Sequence, residues 1–271
     1  MGAAQQQQHR EAIREELESE ASMAPVSESA AAVITLEDVH LTFDHPVLDG
    51  VSLDAREGET LMVAGESGSG KSTILKLILR LLVPDSGCVR VFGRDVLEMS
   101  FAEALELRRH IGMVFQGAAL FDSLTVYENV AYPLRENADL DEDEIERVVR
   151  ERLEFVDLEP DQVMTQLPSQ LSGGMRKRVG IARAIATDPR VILYDEPTGG
   201  LDPLTIGRIN ALIRKLQREL GVTSLVVTHD IRAGFRVANR VNLLRDGRIV
   251  FDGSPEEMIA SDDEYIHAFL S

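Results

Sequence analysis

Residues 63–75 read VAGESGSGKSTIL. Three glycines, two serines and a lysine fall between Gly65 and Lys71, with an apolar run on either side. The pattern Gly65-x-x-x-x-Gly70-Lys71-Ser72 is a phosphate-binding loop, standing where such a loop must stand, after a buried strand and before a helix. Glycines let the backbone N–H groups of Gly65, Glu66, Ser67, Gly68, Ser69, Gly70, Lys71, Ser72 and Thr73 turn inward around phosphates. The helix that follows adds the positive end of its dipole. Lys71 is expected to bridge β- and γ-phosphates, and Ser72 to coordinate Mg²⁺.

Working outward, the neighbouring segments read as alternating strands and helices. VITLEDVHLTF (33–43) alternates like a half-buried strand. VSLDAREGETLMVAGES predicts a strand, a turn at Glu57-Gly58-Glu59, and a buried strand over Leu61 to Ala64. GKSTILKLILRLL (70–82) has helical period. DLDEDEIERVVRERLEFVDL (139–158) predicts an amphipathic helix with Ile145, Val148, Val149 and Leu153 on one face and a capping box from Asp141 to Glu144. Its Asp139-x-Asp141-x-Asp143 spacing resembles a calcium loop. The sixth position is Glu144 rather than Gly and the twelfth is Arg150 rather than Glu, so calcium is rejected. VILYDE (191–196) and SLVVTHD (224–230) read as central strands. VNLLRDGRIVFDG reads as a hairpin turning at Asp246-Gly247. Ser254-Pro255-Glu256-Glu257 opens a late helix. Strands alternating with helices predict a mostly parallel, covered sheet.

VILYDE also carries chemistry. A buried strand ending in Asp195 suits a carboxylate that positions Mg²⁺ through a water. Glu196, next along, is placed to take the proton of an attacking water.

Bulk composition narrows the partners. The chain has 271 residues, 44% hydrophobic and 27% charged, with a net charge of −18 and a pI near 4.7. Such a chain is repelled by phosphate-rich surfaces, so neither nucleic acid nor anionic lipid heads are expected as direct partners. No run reaches the roughly 18 apolar residues of a spanning helix. The N-terminus lacks the apolar core of a signal peptide. A single cysteine, Cys88, fits a reducing compartment and reads as a buried small residue. A soluble, cytosolic protein is expected. Residues 1–31 are polar and rich in Gln, Glu, Ser and Ala, and read as a disordered tail.

LSGGM (171–175) follows, with RKRVGIARAIATDP behind it. Together with the loop and VILYDE, these residues resemble the ATP-binding cassette (ABC) ATPases, whose signature is LSGG(Q). Met175 departs from the usual Gln. The resemblance covers 33–253 and implies an α/β fold, a P-loop NTPase nucleotide-binding domain. Its parts would be a mostly parallel core sheet, an antiparallel β subdomain, and a helical subdomain over about 117–186, within one domain at 32–271. It implies a head-to-tail homodimer in which Ser172, Gly173 and Gly174 close on the ATP held by the other copy. By the same resemblance Gln116 in GMVFQ touches Mg²⁺ and senses the transporter, Asp202 in GGLDP crosses the dimer, and His229 in VVTHD contacts the γ-phosphate. Phe43 falls where an aromatic stacks on adenine, with His45 as a substitute nearby. ATP and Mg²⁺ are the implied cofactors.

GMVFQGAALFDSLTVYENVAYPLRE (112–136), DEPTGGLDPLT (195–205) and the ending GSPEEMIASDDEYIHAFLS are similar to the ATPases of Mla/Mce-type lipid transporters. That likeness implies a multi-spanning permease and an Mce-domain lipid-binding protein as partners, and a peripheral place on the inner face of the cytoplasmic membrane. Cell-division, lipoprotein-releasing and small-solute import cassettes are the alternatives. The apolar residues Leu120, Phe121, Leu124, Val126 and Tyr127 are expected to form part of a groove for a permease helix. Two-cassette translation factors and coiled-coil chromosome ATPases do not fit a short, acidic, single-cassette chain.

Overall fold

The computed structural model describes residues 30–270, and the expected tail at 1–31 falls almost wholly outside them. The chain forms two compact units, one from residues up to Leu97 with Leu225 onward, the other Glu98–Ser224.

The first unit opens with antiparallel strands β1 (Ala32–Thr42) and β2 (Pro46–Arg56). Strand β3 (Thr60–Ala64) is buried along its whole length. The glycine loop and helix α1 (Lys71–Ile78) follow. Then β4 (Ser86–Val91) pairs with β1, and β5 (Arg94–Asp95) with β4, in the order β2-β1-β4-β5. Cys88 on β4 gives its thiol hydrogen to Asp95 at 3.0 Å. Burial first, then Asp95, pushes that thiol up to about 11. Cys88 is therefore a protonated, unreactive thiol.

The second unit is mainly helical. It holds α2 (Phe101–Arg109), β6 (Ile111–Val114), α3 (Val126–Asn137), α4 (Glu142–Phe155), the short α5 (Pro160–Val163), α6 (Gly173–Ala184), β7 (Val191–Asp195) and α7 (Pro203–Leu220). β6 and β7 pair in parallel. Asp141 caps α4 in the expected box with Glu144. Ile145, Val149 and Leu153 are its buried stripe; Val148 lies at the margin. Helices α3, α4 and α6 pack on one another through such stripes.

Strand β8 (Thr223–Thr228) leads back into the first unit, followed by α8 (Ile231–Phe235), the hairpin β9 (Arg240–Arg245) and β10 (Arg248–Gly253), α9 (Pro255–Ala260) and α10 (Glu264–Phe269). Strand order there is β10-β9-β3-β8, with β3 and β9 parallel and β9 and β10 antiparallel. The architecture is the mixed parallel and antiparallel α/β fold expected from the sequence. Met62, Ala64, Phe235, Leu243 and Met258 close a core on these elements.

One ionic cluster ties this unit together. Arg240 donates to Glu59 at 2.8 Å, to the carboxylates of Asp54 and Asp252 at 3.1 Å, and to the Asp54 carbonyl. Glu59 is only 2% exposed. Removing one partner of a buried pair leaves an uncompensated charge. Arg240→Met is expected to lower unfolding free energy by about 3 kcal/mol in urea titrations. A loss below about 1 kcal/mol would place the cluster among surface pairs.

Candidate functional site

The glycine loop is shaped by close approaches that no side chain could survive. Leaving β3, the chain passes Gly65, where a Cβ would lie 2.5 Å from the Leu244 carbonyl oxygen and 2.8 Å from Ser69 Oγ. At Gly70 the backbone is left-handed, φ 102°, and a Cβ would meet Leu48 Cδ2 at 2.9 Å and the Val47 carbonyl oxygen at 3.0 Å. Glycine is the residue both positions admit. Gly70 is also the N-cap of α1, with no side-chain cap and no acid in the first turn. The first turn of that helix thus brings no acid of its own to its opening N–H groups. Lys71 is buried, its Nζ donating to the carbonyls of Gly65 at 2.8 Å and Glu66 at 2.7 Å. Ser69 Oγ is shielded from solvent and has no partner.

An orphaned hydroxyl, an uncapped helix start and a lysine inside a curved backbone fit a polyphosphate. Ser72 sits half-buried one residue further on. Among the described residues no cluster of three or more His, Cys, Asp or Glu could hold a metal alone. The Ser72 hydroxyl is a donor type that Mg²⁺ accepts, since that ion takes one or two protein oxygens and completes its shell with water and phosphate.

The first unit supplies two more expected residues. Phe43 stands in the turn between β1 and β2 and is 56% exposed, so it is not a core residue. His45 is exposed in the same turn. His229 is exposed on the bend after β8, where Asp230 caps α8 by accepting the Ala233 N–H at 3.1 Å.

The second unit holds the rest. Asp195 ends β7 and is half-buried; Glu196 beyond it is buried, with φ 48°. Gln116 is exposed in a turn after β6. The structure brings Gln116 and Glu196 together through a residue that motif reasoning missed. Lys177, on α6, donates to the carbonyls of both, at 3.1 Å for Glu196. Its one sequence signal is the Lys177, Gly180, Arg183 spacing, which puts all three on one face of a helix.

Ser172 is the N-cap of α6, accepting the Met175 N–H at 3.2 Å. A Cβ at Gly174 would lie 2.6 Å from Thr205 Cγ2, so α6 and α7 meet closely there. Asp202 caps α7, accepting Thr205 Oγ1–H at 2.6 Å and the Thr205 N–H at 3.0 Å. Those bonds, the hydroxyl foremost, hold its carboxyl below the usual range.

The expected groove keeps Phe121 and loses Val126. Val126 is fully buried core, and Tyr127 turns its hydroxyl to Glu142 at 3.1 Å. Periodicity had no means of separating these from exposed neighbours in an irregular apolar stretch. A groove of about 310 Å³ lies among Phe115, Phe121, Tyr132, Arg108, Arg109 and Arg183. The Phe121 and Tyr132 rings stand 5.0 Å apart, and both are nearly half exposed.

Comparison with known proteins follows the same lines. Residues 48–199 match the family described as ABC transporter. The chain is 38% identical over 238 residues to the intermembrane phospholipid transport system ATP-binding protein MlaF of Haemophilus influenzae, across 87% of this chain and 89% of that one. It is 44% identical over 229 residues to the methionine import ATP-binding protein MetN of Caulobacter vibrioides, across 83% of this chain and 68% of that one. The dimeric structure of a post-hydrolysis state of the ATP-binding cassette MJ0796, bound to ADP and Pi, is similar at a TM-score of 0.75 and 36% identity, across 82% of this chain and 98% of that one.

Proposed function

We propose, since this chain belongs to the ABC transporter family, that its ATPase powers movement of phospholipid-like lipids through a separate permease with an Mce-domain partner. The chain is an ATPase that works on ATP with Mg²⁺. The lipid reading is carried by the near full-length likeness to a protein named for intermembrane phospholipid transport. A small-solute importer is the second reading, favoured by the 44% identity to a methionine import protein.

In the proposed mechanism two copies close head to tail over two nucleotides. Lys71 and the loop N–H groups hold the β- and γ-phosphates of ATP from one copy. Ser172, Gly173 and Gly174 approach the γ-phosphate from the other, and Asp202 faces across the dimer. Phe43 stacks on the adenine. Ser72, with Gln116 and Asp195, would hold Mg²⁺, which when bound would neutralise charge on the phosphate oxygens. Glu196 takes a proton from water as the water oxygen bonds to the γ-phosphorus. The bond to the bridging oxygen breaks, and ADP leaves with the electron pair. His229 contacts the γ-phosphate throughout. Loss of the bridging charge lets the dimer open, and the cycle toggles the permease.

Among the described residues no helix is long and apolar enough to cross a membrane. The chain is placed, in this reading, in the cytoplasm, peripheral on the inner face of the cytoplasmic membrane. Its contact is the groove of Phe115, Phe121 and Tyr132. Exposed aromatics beside arginines, in a chain of charge −18, suit a short amphipathic permease helix.

The test is reconstitution of the full chain with its permease in phospholipid vesicles. ATPase activity is expected to respond to phospholipid, with transfer of a fluorescent phospholipid between vesicles. A response to methionine alone would replace the lipid reading with the importer. Phe121→Glu combined with Tyr132→Glu should bind ATP normally and lose co-purification with the permease. Normal co-purification of that variant would move the docking surface elsewhere.

A further inference from the structure

One face of α6 grips the segment that follows β6. Lys177 donates from Nζ to the Gln116 carbonyl. Gly180 admits Ala118, since a Cβ there would stand 3.2 Å from Ala118 Cβ. Arg183 donates to the carbonyls of Ala118 and Ala119, both at 2.8 Å. Ala118 and Ala119 are left-handed, φ 62° and 45°. Such backbone persists only where its surroundings hold it. The segment therefore moves with α6 or not at all.

Lys177 reaches further than the other two. Its Nζ also donates to the Glu196 carbonyl at 3.1 Å. Glu196 is itself left-handed, φ 48°, and the same carbonyl takes the Gly199 N–H at 3.1 Å. Lys177 is 5% exposed, and both its acceptors are backbone carbonyls rather than carboxylates. Burial pulls its ammonium below the ordinary value, against the pull of the Glu196 and Asp195 carboxylates. A charge buried at such cost is a poor choice for filling space, which an apolar side chain does better. What the ammonium does that an apolar chain cannot is hold two oxygens of distant segments on one atom.

We propose that Lys177 is a positioning residue, tying the Gln116 carbonyl to that of Glu196 so that displacement of the 116–119 segment is delivered to the Glu196 carboxylate. This rests on the general-base role of Glu196 proposed above. The carbonyl and the carboxylate of Glu196 hang on one Cα, so a displacement that drags the carbonyl group carries the Cα, and with it the side chain. Loss of the tie leaves Glu196 present but misaimed, and leaves the phosphate loop untouched.

The test is steady-state kinetics on the purified full chain. Lys177→Met keeps the apolar stem and removes the donors. It is expected to lower kcat about 10²-fold while KM for ATP stays within about twofold. Lys177→Arg, which keeps donors in reach of both carbonyls, should recover most of the rate. A kcat within about threefold of wild type in Lys177→Met, or a KM that rises as kcat falls, overturns the proposal. Should Lys177→Met fail to fold, Lys177→Leu, which also lacks a donor, decides in its place, with the same outcomes. Two double variants test the route. In a Glu196→Gln background, Lys177→Met should add little, because both act on one group; additive losses overturn the link to Glu196. In a Lys177→Met background, Arg183→Met should add little; additive losses overturn the link to the 116–119 segment. Near-normal turnover in Glu196→Gln alone would instead remove the general base, and the positioning role with it.

Discussion

Replacing Glu196 with Gln is expected to leave Mg·ATP binding intact and to slow hydrolysis about 10²–10⁴-fold. Gln has nearly the same shape, so the cost falls on chemistry rather than packing. The backbone at Glu196 is left-handed, φ 48°, and its carbonyl is held by Lys177 at 3.1 Å and Gly199 at 3.1 Å. All of these contacts use main-chain atoms that Gln retains. The amide cannot accept a proton from water at neutral pH, so attack on the γ-phosphorus would lose the base proposed for it. ATP bound in both sites then persists, and the protein should accumulate as a nucleotide-sandwiched dimer. Single-turnover kinetics gives the rate, and size-exclusion chromatography with ATP gives the dimer. Turnover within about threefold of wild type would assign the base elsewhere.

How much of this was legible in the sequence depended on the range of the forces involved. The phosphate loop could be read because its demands are local: Gly65 and Gly70 sit where any Cβ would strike Leu244 or Val47. The hairpin was legible for the same reason, with Asp246 and Gly247 left-handed at φ 48° and 74°. So were the capping boxes of Asp141 and Ser254, each closed with the residue three positions on. The end of α1 was not. Helical period ran to Leu82, yet the helix stops at Ile78. Arg80 turns left-handed, φ 50°, and the Leu81 N–H returns to the Lys76 carbonyl at 2.8 Å. An apolar pattern carries no mark of that turn. The role of Lys177 was likewise hidden, since its acceptors lie 61 and 19 residues away in sequence. Val126 failed as a groove residue because hydrophobicity shows that a side chain seeks cover, not whether its own chain or a partner provides it.

Replacing Lys71 with Met should act at the opposite end of the cycle from Glu196→Gln. Affinity for Mg·ATP is expected to fall about 10²-fold, the scale of losing charge-assisted hydrogen bonds to phosphate. The geometry gives two reasons. Lys71 is buried inside the loop, donating to the carbonyls of Gly65 at 2.8 Å and Glu66 at 2.7 Å. Those bonds hold the curve of the backbone, and in the proposed mechanism the same ammonium faces the β- and γ-phosphates. Met keeps the stem and volume but supplies neither charge nor donor. Two loop carbonyls then lose a partner, and the phosphates lose their counter-charge. Arg in its place restores charge without fit. Its planar fork is wider than an ammonium, in a space bounded by Gly65 and Glu66. Calorimetric titration with Mg·ATP on Lys71→Met and Lys71→Arg, each checked for unchanged melting in the absence of nucleotide, measures the effect. Binding by Lys71→Met within about threefold of wild type would mean that backbone N–H groups and the α1 dipole alone hold the phosphates, and that Lys71 serves the loop's shape rather than its ligand.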